Sequence, residues 1–139
     1  MREHSNWAQN SANRIDEYPI EMTGPLHNTR VLDLTTAIVG PYATKLLADY
    51  GADVIKIETP KGDLSRQLGP FKDGDRNLEK SGTFFYFNTN KRSVVLDLKT
   101  ASGRDNFWEL IDWADIVVEG FLPGALESLG LSWEAIHTR

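Results

Sequence analysis

RVLDLTTAIVGPYATKLLADYGADVIKIE, residues 30–58, is the stretch that decides the fold. Its apolar run VLDL (31–34) predicts a β-strand, and the following TTAIVGP predicts a loop. A helix is predicted next, because apolar residues recur at helical spacing at Ala43, Leu46, Leu47 and Tyr50. Gly51 stands where that helix would end, and DVIKIE (53–58) predicts a second strand. The stretch is therefore predicted to form a strand-helix-strand unit.

The next part of the chain repeats this alternation after a long interruption. TPKGDLSRQLGPFKDGDRN (59–77) is rich in glycine, proline and charge, so it predicts a long loop. SGTFFYFNTN (81–90) is an aromatic patch that predicts a turn of helix. SVVLDL (93–98) predicts a third strand, and TASGRDNFWELIDWA (100–114) predicts a helix with Thr100 as its N-cap.

The carboxyl-terminal part adds a fourth strand and two short helices. DIVVEGF (115–121) predicts the strand, Pro123 suits the first position of a short helix that Gly130 ends, and Ser132 is predicted to cap a last helix. This order of elements predicts an α/β fold, a Rossmann-like parallel sheet with flanking helices. The strands are nearly all apolar, which is typical of a sheet covered on both faces.

Length, charge and composition limit the classes of function. The 139 residues fit one domain, with a flexible polar extension expected over 1–24 and a folded segment over 25–139. The formal net charge of −5 argues against a nucleic-acid partner. The chain has no cysteine, no apolar run near the roughly 20 residues that span a membrane, and no secretory signal. We therefore expect a cytoplasmic protein without a membrane partner.

Catalytic and metal-binding motifs are missing from the sequence. The turn after the first strand contains the single glycine Gly40 before Pro41, whereas dinucleotide binding needs the G-x-G-x-x-G fingerprint. There is no nucleophile elbow, and the three histidines are scattered along the chain. The acids near Gly74 superficially resemble a calcium loop, but the required glutamate and spacing are missing. We assign no catalytic residue and no metal ligand.

The strand ends offer a better candidate site. In a parallel α/β sheet, ligands bind outside the carboxyl ends of the strands. The loop TTAIV, Thr59, Lys99 and the segment 120–122 follow the four predicted strands, so they are predicted to share one rim. Lys91 and Arg92 precede the third strand and are predicted to lie at the opposite rim, with a structural or partner-contacting role. The alternative for any single basic residue in a loop is a solvated surface charge.

Three long segments carry a resemblance to a known family. RVLDLTTAIVGPYATKLLADYGADVIKIETPKGDLSRQLGP, FNTNKRSVVLDLKTASGR and ADIVVEGFLPGALESLGLSWEAI occur in the order found in the amino-terminal part of the family III CoA-transferases. This family includes formyl-CoA transferase, carnitine CoA-transferase and α-methylacyl-CoA racemase. The resemblance runs from about Pro25 to the last residue. It implies a Rossmann-like domain that takes coenzyme A or acyl-CoA as substrate, without a metal, in an interlocked dimer.

The resemblance also implies which residues contact CoA. They follow each of the four strands in turn and, carried over position by position, are Ile38, Val39, Thr59, Leu96, Asp97, Leu98, Lys99, Gly120, Phe121 and Leu122. Backbone amides and apolar side chains would hold the adenine and pantetheine arm, and Lys99 would offset phosphate charge.

The chain also departs from the family pattern. The family usually shows E-N-F/Y-R-P-G after the fourth strand, where this chain has EGFLPG at 119–124. Thr59 and Ser128 stand where basic residues occur in other members, so we expect weaker CoA binding. The family's catalytic aspartate corresponds to a position beyond Arg139. The chain is therefore expected to be a fragment of a larger protein, or to need a partner chain that completes its sheet.

These observations favour the amino-terminal CoA-binding portion of an enzyme that moves CoA between an acyl-CoA and a carboxylic acid. We expect the 139-residue chain to be inactive alone. Three alternatives stay open: an acyl-CoA racemase of the same family, a non-catalytic relative that binds CoA weakly or acts as an interaction subunit, and a Rossmann module for another nucleotide.

Overall fold

A computed structural model describes residues 24–139 and confirms the α/β fold. The expected extension over 1–24 lies outside the described residues except for Gly24. The described part holds a four-stranded parallel sheet in the order β3-β2-β1-β4, with strands β1 (Arg30–Asp33), β2 (Asp53–Glu58), β3 (Lys91–Val95) and β4 (Ile116–Val118). The helices are α1 (Val39–Asp49), α2 (Gly82–Asn88), α3 (Ala101–Trp113) and α4 (Trp133–His137).

Strands β3 and β4 differ in extent from the predictions. The third strand was predicted over 93–98, but Lys91–Val95 pairs in register with Val54–Glu58. The prediction was wrong because Lys91 and Arg92 were treated as a flank, although they belong to the ladder. Beyond Val95 the chain turns, and the Asp97 carboxylate accepts a hydrogen bond from the Lys99 amide at 3.1 Å. The fourth strand was predicted over 115–121 and is also shorter, since it covers only the three residues Ile116–Val118.

The predicted long loop contains two short 3-10 helices, Leu64–Gln67 and Lys72–Gly74, and a third, Leu78–Lys80, follows it directly. Helix α2 then covers the aromatic patch, and Ser81 caps it by accepting a hydrogen bond from the Phe84 amide at 3.1 Å. The Ser81 hydroxyl also donates to the Leu68 carbonyl at 2.6 Å. The loop is therefore fastened to the start of α2.

The predicted caps hold at the carboxyl-terminal end, but one predicted helix is absent there. Thr100 and Ser132 accept hydrogen bonds from the amides of Gly103 and Ala135, at 3.0 and 3.2 Å, and so cap α3 and α4. The helix predicted at Pro123 is a series of turns instead, followed by the 3-10 helix Glu127–Leu129. Gly130 ends it with φ of 76°, a conformation that suits glycine.

The sheet has two different faces, because successive side chains of a strand point to opposite sides. The face under α3, here the apolar face, buries Leu32, Leu34, Ile55 and Ile57 against Phe107 and Ile111. The face under α1 and α2, here the charged face, buries Val31 and Val54 against Ala48. Further along the same strands it buries the charged residues Asp33, Lys56 and Glu58. The prediction of nearly all-apolar strands was therefore wrong for the charged face.

No helix among residues 24–139 is long and apolar enough to cross a membrane.

Candidate functional site

A cleft of about 190 Å³ lies at the carboxyl ends of β1, β2 and β3. Its lining comes from the segments that follow these three strands and from the carboxyl-terminal turns, and consists of Leu34, Thr36, Ile57, Glu58, Thr59, Gly62, Asp63, Leu96, Asp97, Leu98, Lys99, Phe121 and Leu129. The surface of the walls is mostly apolar, with hydroxyl, carboxylate and ammonium groups among the lining side chains.

The predicted contact residues divide into three groups. Those that line the cleft are Thr59, Leu96, Asp97, Leu98, Lys99 and Phe121. Leu122 lines a second cleft of about 160 Å³, which shares Phe121 with the first and is bounded by Trp133 and Ile136 of α4. Ile38, Val39 and Gly120 line neither cleft; Ile38 and Val39 are exposed at the start of α1. The structure thus brings together the predicted residues after β2 and β3 with Phe121 after β4, but not Ile38 and Val39 after β1.

The loop after β1 nevertheless lies close to the segment after β4. A Cβ atom added at Gly120 would lie 3.9 Å from the Thr35 methyl carbon. Gly40 has a closer approach, because a Cβ there would lie 2.3 Å from the Cβ of Thr35. Glycine at position 40 therefore lets the start of α1 pack directly on the loop that leaves β1.

Glu58 is one of two buried acids in the cleft lining, and its charge is neutralised by Arg66. The guanidinium donates from Nε to Oε2 at 2.6 Å and from Nη2 to Oε1 at 2.8 Å, and it stacks on the Phe84 ring at 3.6 Å. Burial alone would raise the pKa of the Glu58 carboxyl, but hydrogen bonds from Arg66, the Ser93 hydroxyl and the Asp63 amide hold it below its ordinary value. The Arg66 guanidinium is thus already paired with a carboxylate of the protein itself.

Asp63, the other buried acid, belongs to a four-residue cluster under α1, here called the buried ion cluster: Asp33, Lys56, Asp63 and Lys91. The Lys56 ammonium lies 2.9 Å from Asp63 Oδ2 and 3.8 Å from Asp33 Oδ2, and only 1% of the Lys56 side chain is exposed. Lys91 Nζ lies 3.0 Å from Asp33 Oδ2. Two carboxylates and two ammonium groups therefore balance one another away from water.

Lys91 was predicted to lie at the rim opposite the ligand, and this prediction is wrong for its side chain. Its ammonium reaches the end of β1 and also donates to the Pro41 carbonyl at 2.8 Å and to Asn88 Oδ1 at 2.9 Å. It thereby ties β1 to the start of α1 and the end of α2. Arg92 does stay at the amino end of the sheet, where it pairs with Asp53.

The protonation of the buried ion cluster reflects both burial and charge. Burial alone would raise the pKa of the Asp33 carboxyl, but Lys56, Lys91 and hydrogen bonds from Thr35 and Thr44 hold it below its ordinary value. Burial lowers the pKa of the Lys91 ammonium to about 8, although the Asp33 charge opposes this shift.

Sequence reasoning missed this cluster, although a signal for it was present. In DVIKIE the period of two places Lys56 and Glu58 on the same face as Val54. A helix over that face buries all three side chains, so each charge needs a partner.

Among the described residues no group of three or more His, Cys, Asp or Glu side chains is arranged to hold a metal ion.

Comparison with known proteins agrees with the fold and with the sequence motifs. The model of the CoA-transferase family III matches residues 26–139. Succinyl-CoA:mesaconate CoA-transferase of Haloarcula hispanica is 47% identical over 115 residues, which are 82% of this chain and 29% of that protein. Formyl-CoA:oxalate CoA-transferase of Streptomyces avermitilis is 46% identical over 117 residues, 84% of this chain and 27% of that protein.

Solved structures show the same likeness. A CaiB/BaiF family protein from Brucella suis superposes with a TM-score of 0.74 at 36% identity, covering 83% of this chain and 30% of the other. A protein from Mycobacterium tuberculosis superposes with a TM-score of 0.71 at 37% identity. The chain thus spans less than a third of the length of these relatives. With a family match over nearly all of its described residues, this chain belongs to the CoA-transferase family III.

Proposed function

We propose that residues 25–139 form the CoA-binding segment of an enzyme that moves CoA between an acyl-CoA and a carboxylic acid. The observation that carries the proposal is the cleft at the strand ends, which gathers Thr59, the segment 96–99 and Phe121. Its position agrees with the general rule for ligands of parallel α/β sheets. Family membership supports the CoA thioester as the ligand.

The cleft suits one part of CoA rather than the whole molecule. Sites that enclose a drug-sized ligand have volumes of roughly 300–1,000 Å³, and this cleft has about 190 Å³. Leu34, Ile57, Leu98 and other aliphatic side chains offer contacts to an uncharged moiety. Lys99 is exposed at the lining and is the cation available to a phosphate, since Arg66 already pairs with Glu58.

The two buried acids in the lining do not oppose an anionic ligand, since their charges are compensated from within the protein, whereas Asp97 accepts a hydrogen bond from the Lys99 amide. Glu58 pairs with Arg66, and Asp63 pairs with Lys56. Asp33, Asp53 and Asp115 are likewise ion-paired, so each has a structural role. We therefore propose that the catalytic carboxylate of the transfer reaction comes from another part of the enzyme, and that the whole enzyme acts in the cytoplasm as an interlocked dimer.

Calorimetry on the 139-residue chain tests CoA binding, with pantetheine as the ligand that lacks phosphates. We expect Lys99→Met to weaken CoA binding about two- to fivefold, the range for an exposed ion pair, and to leave pantetheine binding unchanged. Lys61→Met is the matched control, because Lys61 is also exposed after a strand but does not line the cleft. Absence of binding heat at millimolar CoA would refute the proposal for this segment.

Turnover provides the complementary test. The chain alone is expected to bind CoA but not to transfer it from an acyl-CoA to a carboxylate, because the attacking carboxylate is proposed to lie elsewhere. A thioester-exchange assay on the purified chain measures this directly. Substantial turnover would show that the reactive carboxylate is among the 139 residues.

A further inference from the structure

The loop after β1, residues 34–38 and here called the β1 loop, is the part of the cleft that needs outside support. It contributes Leu34 and Thr36 to the lining and leads into α1 at Val39. Ala37 within it has φ of 67°, a left-handed conformation that costs a non-glycine residue roughly 1–2 kcal/mol. Contacts from other elements must therefore hold this loop in place.

Lys56 supplies the central contact. Its ammonium donates a hydrogen bond of 2.6 Å to the Thr35 carbonyl, at the start of the β1 loop. The same ammonium lies 2.9 Å from Asp63 Oδ2, in the loop after β2. Asp63 in turn accepts hydrogen bonds through Oδ1 from the Ala37 amide at 3.3 Å and from the Ser65 amide at 2.7 Å. One buried cation thus connects the two loops that border the cleft.

The Asp63–Lys56 contact is an ion pair rather than an aligned hydrogen bond. Asp63 Oδ2 accepts no aligned hydrogen bond from the described residues, although it lies close to the ammonium. Its burial is tolerated because the positive charge is adjacent. Removing Lys56 would leave the negative charge of Asp63 buried without a cation. That costs free energy, so the carboxylate that accepts the Ala37 hydrogen bond is expected to move towards water.

Stability alone does not account for a lysine at this position. Buried ion pairs replaced by well-packed apolar residues are often neutral or more stable, and Val54 fills the preceding position of the same face with hydrocarbon. Hydrocarbon at position 56 could not bind the Thr35 carbonyl or the Asp63 carboxylate. What lysine adds is a fixed connection between the β1 loop and the loop after β2.

We infer that Lys56 is a positioning residue for the cleft, holding the β1 loop and Asp63 in the arrangement that admits the ligand. The inference rests on the proposed CoA site and assigns Lys56 no contact with the ligand. It acts through Thr35 and Asp63, which set the position of Thr36 and of the turn into α1. Without the ammonium the loop keeps the hydrogen bonds from Thr35 to Asp33 but loses its connection to the loop after β2, and one wall of the cleft can shift.

Lys56→Met and Lys91→Met form a matched pair for the test. Both substitutions remove an ammonium from the buried ion cluster and from the neighbourhood of Asp33. Lys91, however, bonds to Pro41 and Asn88 on the helices and not to the β1 loop or Asp63. The readouts are urea denaturation, the Kd for CoA, and hydrogen exchange of the Ala37 amide without ligand.

We expect both variants to lose stability, but only Lys56→Met to change the cleft. In Lys56→Met the Ala37 amide should exchange at least tenfold faster, beyond any change at the Leu32 amide of β1, and CoA binding should weaken about tenfold or more. In Lys91→Met both quantities should stay within about twofold of the parent. Equal effects of the two variants on exchange and affinity would overturn the inference, as would unchanged Ala37 exchange in a folded Lys56→Met protein.

A second variant covers the case in which Lys56→Met does not fold. Lys56→Met combined with Asp63→Asn removes both members of the pair and leaves Asp33 with Lys91, so no unpaired charge is buried. The same loop-specific effects are expected. If this variant also fails to fold, Lys56 is a requirement of the fold and the positioning role is wrong. If the parent does not bind CoA, the proposed function fails, while Ala37 exchange still decides the role of Lys56.

Discussion

The two faces of the sheet use the same four strands in different ways. On the apolar face, Leu32, Ile55 and Ile57 pack against α3 in a continuous hydrocarbon core. On the charged face the core is apolar at the amino end, at Val31 and Val54, and ionic towards the carboxyl end. Both parts reach the cleft, since Leu34 and Ile57 of the apolar face and Asp63 of the buried ion cluster line it.

This difference shows how one sheet can provide both stability and positioning. Hydrophobic contacts are non-directional, so the apolar face stabilises the fold without selecting a loop conformation. Hydrogen bonds and ion pairs depend on distance and direction, so those of Lys56 and Asp63 favour one conformation of the β1 loop. Substitutions on the apolar face should therefore change global stability, and substitutions on the charged face should change stability together with local order.

The largest expected effect is on the apolar face, from Phe107→Ala. The Phe107 side chain is fully buried, so its truncation leaves a cavity and is expected to cost about 3–5 kcal/mol of unfolding free energy. Urea denaturation measures the loss, and Leu122→Ala is the control because Leu122 is 82% exposed. Phe107 itself does not line the cleft, so the CoA affinity of the folded protein should stay unchanged. A weaker affinity at full folding would contradict the proposed division between the two faces.

The sequence predicted the elements well where their signal is local. Helical spacing and caps such as Thr100 depend on a few neighbouring residues, so α1 and α3 were found. The strand-end rule predicted Thr59 and Lys99 at one rim and the family resemblance added 96–98; all of them line one cleft, and their role in binding stays a prediction. The buried ion cluster was missed because the partners of Asp33 come from β2 and β3, and no local pattern shows which strand face a helix will cover.

The next effect concerns Lys91 and pH. Its pKa is lowered from 10.5 to about 8 by burial, so between these values the unfolded chain binds a proton that the folded chain does not. Lys91 therefore makes the unfolding free energy rise with pH between about 8 and 10.5, by up to about 3 kcal/mol. Below pH 8 its contribution is constant, because both states are protonated.

Denaturation of the parent and of Lys91→Met across pH 7 to 10.5 isolates this contribution, since the other lysines titrate in both proteins. The groups that face Lys91 are Asp33 and Lys56 on the strands, Asp63 in the following loop, and the polar atoms of Pro41 and Asn88. All of them are shared by the two proteins. A stability difference that does not change with pH would mean that Lys91 titrates at its ordinary pKa and that the charged face is better hydrated than described.

The smallest effect tests a single hydrogen bond of the charged face, through Thr44→Val. The Thr44 hydroxyl is fully buried and donates to Asp33 Oδ2 at 2.7 Å. Valine keeps the shape but removes the donor, at an expected cost of about 1.5 kcal/mol, the lower end for a bond to a charged group. The lower end applies because Lys91 still donates to the same oxygen at 3.0 Å.

Ile111→Val on the apolar face is the matched control, with an expected cost of about 0.5–1.5 kcal/mol for one methylene. The two substitutions differ in their response to acid. The pKa of Asp33 is held below 3.8 by its donors and cations despite its burial, so the cost of Thr44→Val should shrink as pH falls well below that value and Asp33 becomes protonated. The cost of Ile111→Val should not change. Equal pH dependence would mean that the Thr44 hydroxyl only fills space, and that the charged face depends on packing as the apolar face does.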